Sequence, residues 1–194
     1  MLKSVDLETK LKDPSLLKKQ AYINGKWVGA KSGKTFPVYN PSTGEVIADV
    51  PDMGVEDLQV AIDGAYKAQK MWAAKTGKER AGILKKWNDL MVENADDLAI
   101  ILTAEMGKPL AEARGEIVYG ASFIEWFAEE AKRVYGETIP GHQPDKRIMV
   151  IKQPVGVVAS ITPWNFPNAM ITRKAGPALA SGCAFVAKPA GETP

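Results

Sequence analysis

The 194-residue chain is poor in the residues that most often announce a function. It has one cysteine, Cys183, and one histidine, His142. A single cysteine excludes an intrachain disulfide and fits a reducing compartment. A single histidine, placed in the polar stretch HQPDK, reads as a surface residue and gives no footing for a His-dependent triad. Charge of one sign is scarce as well. The net charge of +2 does not favour nucleic acid or an anionic membrane as partner. No apolar run approaches the length that spans a bilayer. The N-terminal segment MLKSVDLETKLKDPSLLKK mixes acids and bases, so it reads as neither a secretory signal nor an organelle transit peptide. Neither G-x-G-x-x-G nor a P-loop pattern occurs, and there is no repeat or low-complexity tract. What is present is ordinary globular composition, enough for one sizeable domain or two small ones.

Hydrophobic periodicity divides the chain. AYINGKWV (21–28) predicts a hairpin turning on Asn24-Gly25, the pair suited to a type I′ turn. TFPVY and EVIADV predict two more strands about a turn at Asn40-Pro41-Ser42-Thr43-Gly44. Three helices follow, each with one apolar face. The first carries Leu58, Ile62, Ala65, Ala68 and Trp72. The second carries Leu84, Trp87, Met91, Ala95, Leu98 and Leu102. The third carries Ile117, Ala121, Ile124, Phe127, Ala131 and Val134. Trp87, Trp126 and Phe127 are expected in the core or at an interface. RIMVIK (147–152) and VGVVASI (155–161) then read as strands, the second buried on both faces. Pro167 suits the first position of a helix running to about Gly182, with a kink or early break expected at Pro177. CAFVAK (183–188) reads as another buried strand. Residues 155–188 therefore predict a βαβ unit with parallel pairing. The chain closes on Glu192-Thr193-Pro194, which resembles a helix start and leads to the expectation of a truncated fold whose last strand is an aggregation-prone edge.

In doubly wound α/β sheets, ligands bind beyond the carboxyl ends of the strands, against helix N-termini. Two stretches lie on that edge here. They are Thr162-Pro163-Trp164-Asn165-Phe166-Pro167 after the first strand and Lys188-Pro189-Ala190-Gly191-Glu192 after the second. Asn165 can donate its side-chain amide to a developing oxyanion or bond its own backbone as a turn asparagine. Lys188 can bond ribose or phosphate, or merely close a strand in solvent. Arg173 can grip a carboxylate through its planar fork, or lie on the surface. On spacing alone the second reading is favoured for each. Cys183, at the start of a buried strand, reads as an apolar filler rather than a nucleophile.

TPWNFP, the GPALASG helix and KPAGETP together resemble the aldehyde dehydrogenase superfamily. The likeness extends over YINGKWV, NPSTGEVIADV, ILTAEMGKPLAEARGEI and IKQPVGVVASITPWNFP. YGASFIEWFAEEAKRVYGETIP and NAMITRKAGPALASGC are most similar to its succinate-semialdehyde dehydrogenase branch. The fold class implied is α/β. Residues 1–135 would be strands and helices of the cofactor-binding domain, 136–152 bridging strands that pair with another subunit, and 153–194 the start of a Rossmann-like unit. The implied activity is NAD(P)-dependent oxidation of succinate semialdehyde to succinate by a cytoplasmic homo-oligomer, a dimer or tetramer. Asn165 matches the oxyanion asparagine that stabilises the thiohemiacetal. Ile161, Thr162, Trp164 and Asn165 match the strip along the cofactor. Lys188 matches the lysine on the adenosine ribose, with Ala190 and Gly191 beside it. Arg173 matches the arginine on the distal carboxylate, whose partner in the clamp is expected outside this chain.

One position departs from the family pattern. Many NAD-preferring members carry glutamate where this chain has Gly191. A carboxylate there would repel the extra phosphate of NADP, so the expected cofactor is NADP or NAD, with Gly191 favouring NADP. The family's nucleophilic cysteine, general-base glutamate and pyrophosphate loop lie downstream of the matched region, so the chain alone is expected to be inactive. Two other readings follow: a non-catalytic product, either a truncated gene product or a module that binds full-length subunits through 136–152, and a bare nucleotide-binding domain of low affinity.

Overall fold

The fold is that of a computed structural model, which describes residues 7–194. The first six residues, part of the segment read as no signal peptide, lie outside the described residues. Among the described residues, eight strands form four two-stranded sheets. Strands β1 (Ala21–Ile23) and β2 (Lys26–Val28) pair antiparallel. Their turn has positive φ at both central residues, 53° at Asn24 and 77° at Gly25, the geometry that the pair Asn-Gly tolerates without strain. Strands β3 (Thr35–Tyr39) and β4 (Val46–Pro51) pair antiparallel with a register shift after Val38. Their inward residues Val38, Ile47 and Val50 pack with Leu7 and Ala104 into one small core.

Four helices follow, where the sequence predicts three. Helix α1 is Val55–Ala73, α2 is Gly77–Glu93, α3 is Ala95–Met106 and α4 is Leu110–Glu130. The Leu84–Leu102 series reads as a single helix because its apolar spacing persists through a break at Asn94. There the side-chain amide donates to Leu90 O at 2.8 Å, and φ/ψ leave the helical region at −101°/17°. Asparagine competes for backbone groups in this way. Thr76 and Glu79 form a reciprocal capping box that starts α2. Gly107, at φ 80°, ends α3. The third predicted helix starts earlier than its apolar series and stops at Glu130, short of Val134.

The main core joins α2 and α4 through Leu84, Met91, Ala121, Ile124 and Ala128, with Trp87 and Phe127 packed against it. One expected face is not fully buried. Leu58 and Ile62 on α1 stay exposed; Trp126, expected in the core or at an interface, is outside the core at 64% exposed. Helix α1 instead buries its far end against β8, and Trp72 Nε1 donates to Leu179 O at 2.9 Å.

Strands β5 (Glu137–Pro140) and β6 (Arg147–Val150) form an antiparallel hairpin whose every residue is exposed. Strand β7 (Val157–Ile161), helix α5 (Pro167–Ala180) and strand β8 (Ala184–Lys188) then form the expected βαβ unit, with β7 and β8 parallel from Val157↔Ala184 to Ile161↔Lys188. Pro167 begins α5 as predicted, but Pro177 does not break it. The missing N–H at Pro177 affects only the last turn, and Cys183 N–H closes that end on Ala178 O at 2.9 Å. Burial on both faces is not met for β7. With only two strands in the sheet, Ala159 and Ile161 stay exposed. A turn at Gly191–Glu192 is closed by Thr193 N–H on Ala190 O at 3.3 Å. No helix among the described residues is long and apolar enough to cross a membrane.

Candidate functional site

Parallel pairing brings the two chemistry-bearing loops to one edge. Ile161 and Lys188 are register partners, and Thr162 N–H donates to Lys188 O at 3.2 Å. Ile161, Trp164 and Asn165 are exposed on this edge, whereas Thr162 is buried with its hydroxyl unpartnered. Lys188 is exposed and its ammonium donates to Pro189 O at 3.0 Å. Ala190 is half-buried and Gly191 exposed.

The turn role favoured for Asn165 on spacing alone is not what the structure shows. Its side-chain amide makes no hydrogen bond among the described residues, in contrast to Asn40, whose Oδ1 accepts from Ser42 N–H at 2.9 Å. The backbone of Asn165 is what is held. Lys108 Nζ donates to Asn165 O at 3.2 Å and sits 3.8 Å from the centroid of the Phe166 ring. The same ammonium pairs with Glu116 Oε2 at 2.6 Å, and both side chains are almost fully buried, 8% and 1% exposed. The other carboxylate oxygen, Glu116 Oε1, accepts the N–H groups of Asn168 and Ala169 at 3.1 and 3.3 Å.

Those amides are first-turn donors of α5, where Phe166 at the N-cap offers no side-chain acceptor. Glu116 therefore caps α5 from α4, adding a negative charge at the positive end of the helix. Lys108 holds the backbone carbonyl of Asn165, and Glu116 holds the amides three and four residues further on. Lys108, between Gly107 and Pro109, carries no sequence signal. Glu116 carried one: a carboxylate among Ala113, Ile117 and Gly120 on a buried stripe needs a partner.

Helices α4 and α5 run alongside each other in the same direction. Glu116 meets Asn168 and Ala169, and Gly120 meets Asn168 and Thr172. Any Cβ at Gly120 would collide with Asn168 Nδ2. One turn on, Arg173 Nη2 donates to the Tyr119 hydroxyl at 2.7 Å, and its guanidinium lies 4.8 Å from the Phe123 ring centroid. Arg173 is thus an ordered cation rather than a loose surface arginine. It stands six residues past Pro167, roughly 9 Å up the helix from the Asn165 loop.

His142 is exposed in the β5–β6 turn. Cys183 is buried, 3.6 Å from Ser181 Oγ. Among the described residues no cluster of His, Cys, Asp or Glu could hold a metal. A cation and open space stand together beyond the carboxyl end of β8. Lys188 supplies an exposed cation, and a Cβ at Gly191 would meet only the Phe36 ring, at 3.8 Å. Nor is φ at Gly191 positive, so neither backbone nor packing requires glycine there. The missing side chain leaves open room beside Lys188.

The aldehyde dehydrogenase family profile matches residues 27–194, and the chain belongs to that family. It is 65% identical over 184 residues to a glutarate-semialdehyde dehydrogenase of Pseudomonas putida, covering 95% of this chain and 38% of that protein. It is 61% identical over 185 residues to the NADP(+) succinate-semialdehyde dehydrogenase of Escherichia coli, again covering 95% and 38%. An aldehyde dehydrogenase crystal structure from Brucella melitensis biovar abortus superposes with TM-score 0.94 at 63% identity, covering 95% of this chain and 38% of that one. A betaine aldehyde dehydrogenase of Staphylococcus aureus solved with NAD+ superposes with TM-score 0.89 at 35% identity, covering 93% of this chain and 36% of that one. The chain thus spans about 38% of the length of the curated relatives it matches, and members of its family bind NAD or NADP.

Proposed function

We propose that this chain is the oxyanion-donor and cofactor-edge portion of an NAD(P)-dependent semialdehyde dehydrogenase, with succinate semialdehyde as substrate. The observation that carries the reading is the Asn165 loop. Its backbone is pinned by Lys108 and Glu116 while its side-chain amide is left free to donate. A donor held in advance costs no reorganisation when charge develops on the aldehyde oxygen, and donors of this kind supply a large share of rate acceleration. Arg173, on the helix that the loop starts, takes the distal carboxylate. Lys188 and the open position at Gly191 receive the adenosine ribose and the phosphate of NADP. When bound, the nicotinamide supplies the hydride acceptor. The whole enzyme is cytoplasmic and oligomeric, with the exposed β5–β6 hairpin as its subunit contact.

Two measurements check this. In a full-length enzyme carrying these residues, kcat/KM with NADP is expected to exceed that with NAD, and a strong NAD preference contradicts the role given to Gly191. The chain by itself is expected to show no turnover. An NADP-dependent rate with succinate semialdehyde that survives Cys183→Ala would contradict the placement of the nucleophile outside it. A second reading, favoured by the fully exposed hairpin, is an inactive module that associates with complete subunits. Co-purification of the chain with such subunits, lost when 136–152 is deleted, distinguishes it.

A further inference from the structure

The Arg173–Tyr119 contact has a direction. A guanidinium offers only donors and no acceptor, so in the 2.7 Å bond from Arg173 Nη2 the Tyr119 oxygen accepts. The hydrogen of the phenol is not used in that bond. It stands on the same oxygen that receives the arginine, and Tyr119 is 46% exposed. A hydroxyl that accepts from a cation is polarised into a stronger donor. The guanidinium keeps four of its five N–H groups and lies 4.8 Å from the ring centroid of Phe123, whose ring meets Tyr119 edge-on with centroids 4.7 Å apart. Little side-chain entropy then remains to be lost when an anion arrives.

We infer that Tyr119 is a second anion-binding group, forming with Arg173 a two-donor clamp for the carboxylate terminus of the substrate. This rests on the semialdehyde reading above and deepens it. Tyr119 on α4 adds a donor from within the chain to whatever partner of Arg173 lies outside it. Tyrosine and arginine are far apart in sequence, at 119 and 173, and meet where α4 packs on α5, beside Gly120, whose missing side chain leaves room for Asn168. A carboxylate with one oxygen on the guanidinium and the other on the phenol uses both donors. A neutral aldehyde of similar length uses neither.

The test is Tyr119→Phe, which removes one oxygen and keeps the ring against Phe123. In a full-length enzyme carrying these residues, the ratio of KM for succinate semialdehyde to KM for propanal is expected to rise about tenfold, the worth of one hydrogen bond to a charged group. The dissociation constant of succinate, read by calorimetry without turnover, is expected to rise by a similar factor. A ratio and a succinate affinity equal to those of the unsubstituted enzyme overturn the inference, as does an equal rise in KM for both aldehydes. An unsubstituted enzyme that fails to oxidise succinate semialdehyde while its succinate binding still weakens in Tyr119→Phe would sink the functional reading and leave the clamp standing.

Discussion

Lys108→Met is expected to destabilise the fold by about 3–5 kcal/mol, among the largest losses that any single substitution here produces. The reason is asymmetry. With both partners present, the ammonium and the carboxylate meet at 2.6 Å out of water, and the carboxylate also satisfies two helix amides. Removing the cation leaves Glu116 buried, charged and unpaired. Removing both charges costs less, because two desolvated ions disappear together. Lys108→Met with Glu116→Gln is therefore expected to be more stable than Lys108→Met alone, since the glutamine oxygen still caps Asn168 and Ala169. Urea midpoints of the two single variants and the double variant check this. Additive losses would contradict the pairing, because contacting residues in one network do not add.

Glu105 is expected to make the fold less stable as pH rises through neutrality. Burial raises its carboxyl from the ordinary 4.5 to about 7. Between those values the folded chain holds a proton that the unfolded chain has released. Stability from this group is then fully present below pH 4.5 and is lost as pH rises through 7. The shift corresponds to at most roughly 3 kcal/mol at alkaline pH. Glu105→Gln, which cannot ionise, is expected to match the unsubstituted chain near pH 4.5 and exceed it by up to that amount at pH 8. Taking the difference between the two proteins matters, because other carboxylates run the opposite way. Asp57 is held below its usual range by the N–H groups of Gly54 and Lys31, and Asp96 by Arg114 and Lys12. Those groups lose stabilisation as pH falls. A variant that gains nothing at pH 8 over pH 4.5 would contradict the assignment.

Much of the fold is legible in the sequence because its signals are local. Asn24-Gly25 specifies its turn, the alternation in TFPVY and EVIADV specifies a half-buried pair, and Pro167 marks a helix start. What escapes is long-range. Asn94 splits a helix without interrupting the apolar spacing, so periodicity runs across it. Leu58 and Ile62 read as buried from spacing, yet spacing does not say whether a neighbour covers the face. The edge at Ile161 and Lys188 could be placed from strand order, and with it the loop bearing Asn165. The groups that hold the loop could not. Lys108, Glu116 and Tyr119 act across 57, 52 and 54 residues of chain, and only the close approach of α4 to α5 brings them to the site. A carboxylate at position 116, inside an apolar stripe, was the one visible hint.

The account stands on the free amide of Asn165, so the decisive measurement is its removal. In a full-length enzyme carrying these residues, Asn165→Ala is expected to lower kcat for succinate semialdehyde by about 100- to 1,000-fold, with the thermal midpoint little changed, since the side chain makes no hydrogen bond to lose. An alanine variant that keeps the unsubstituted kcat would contradict it.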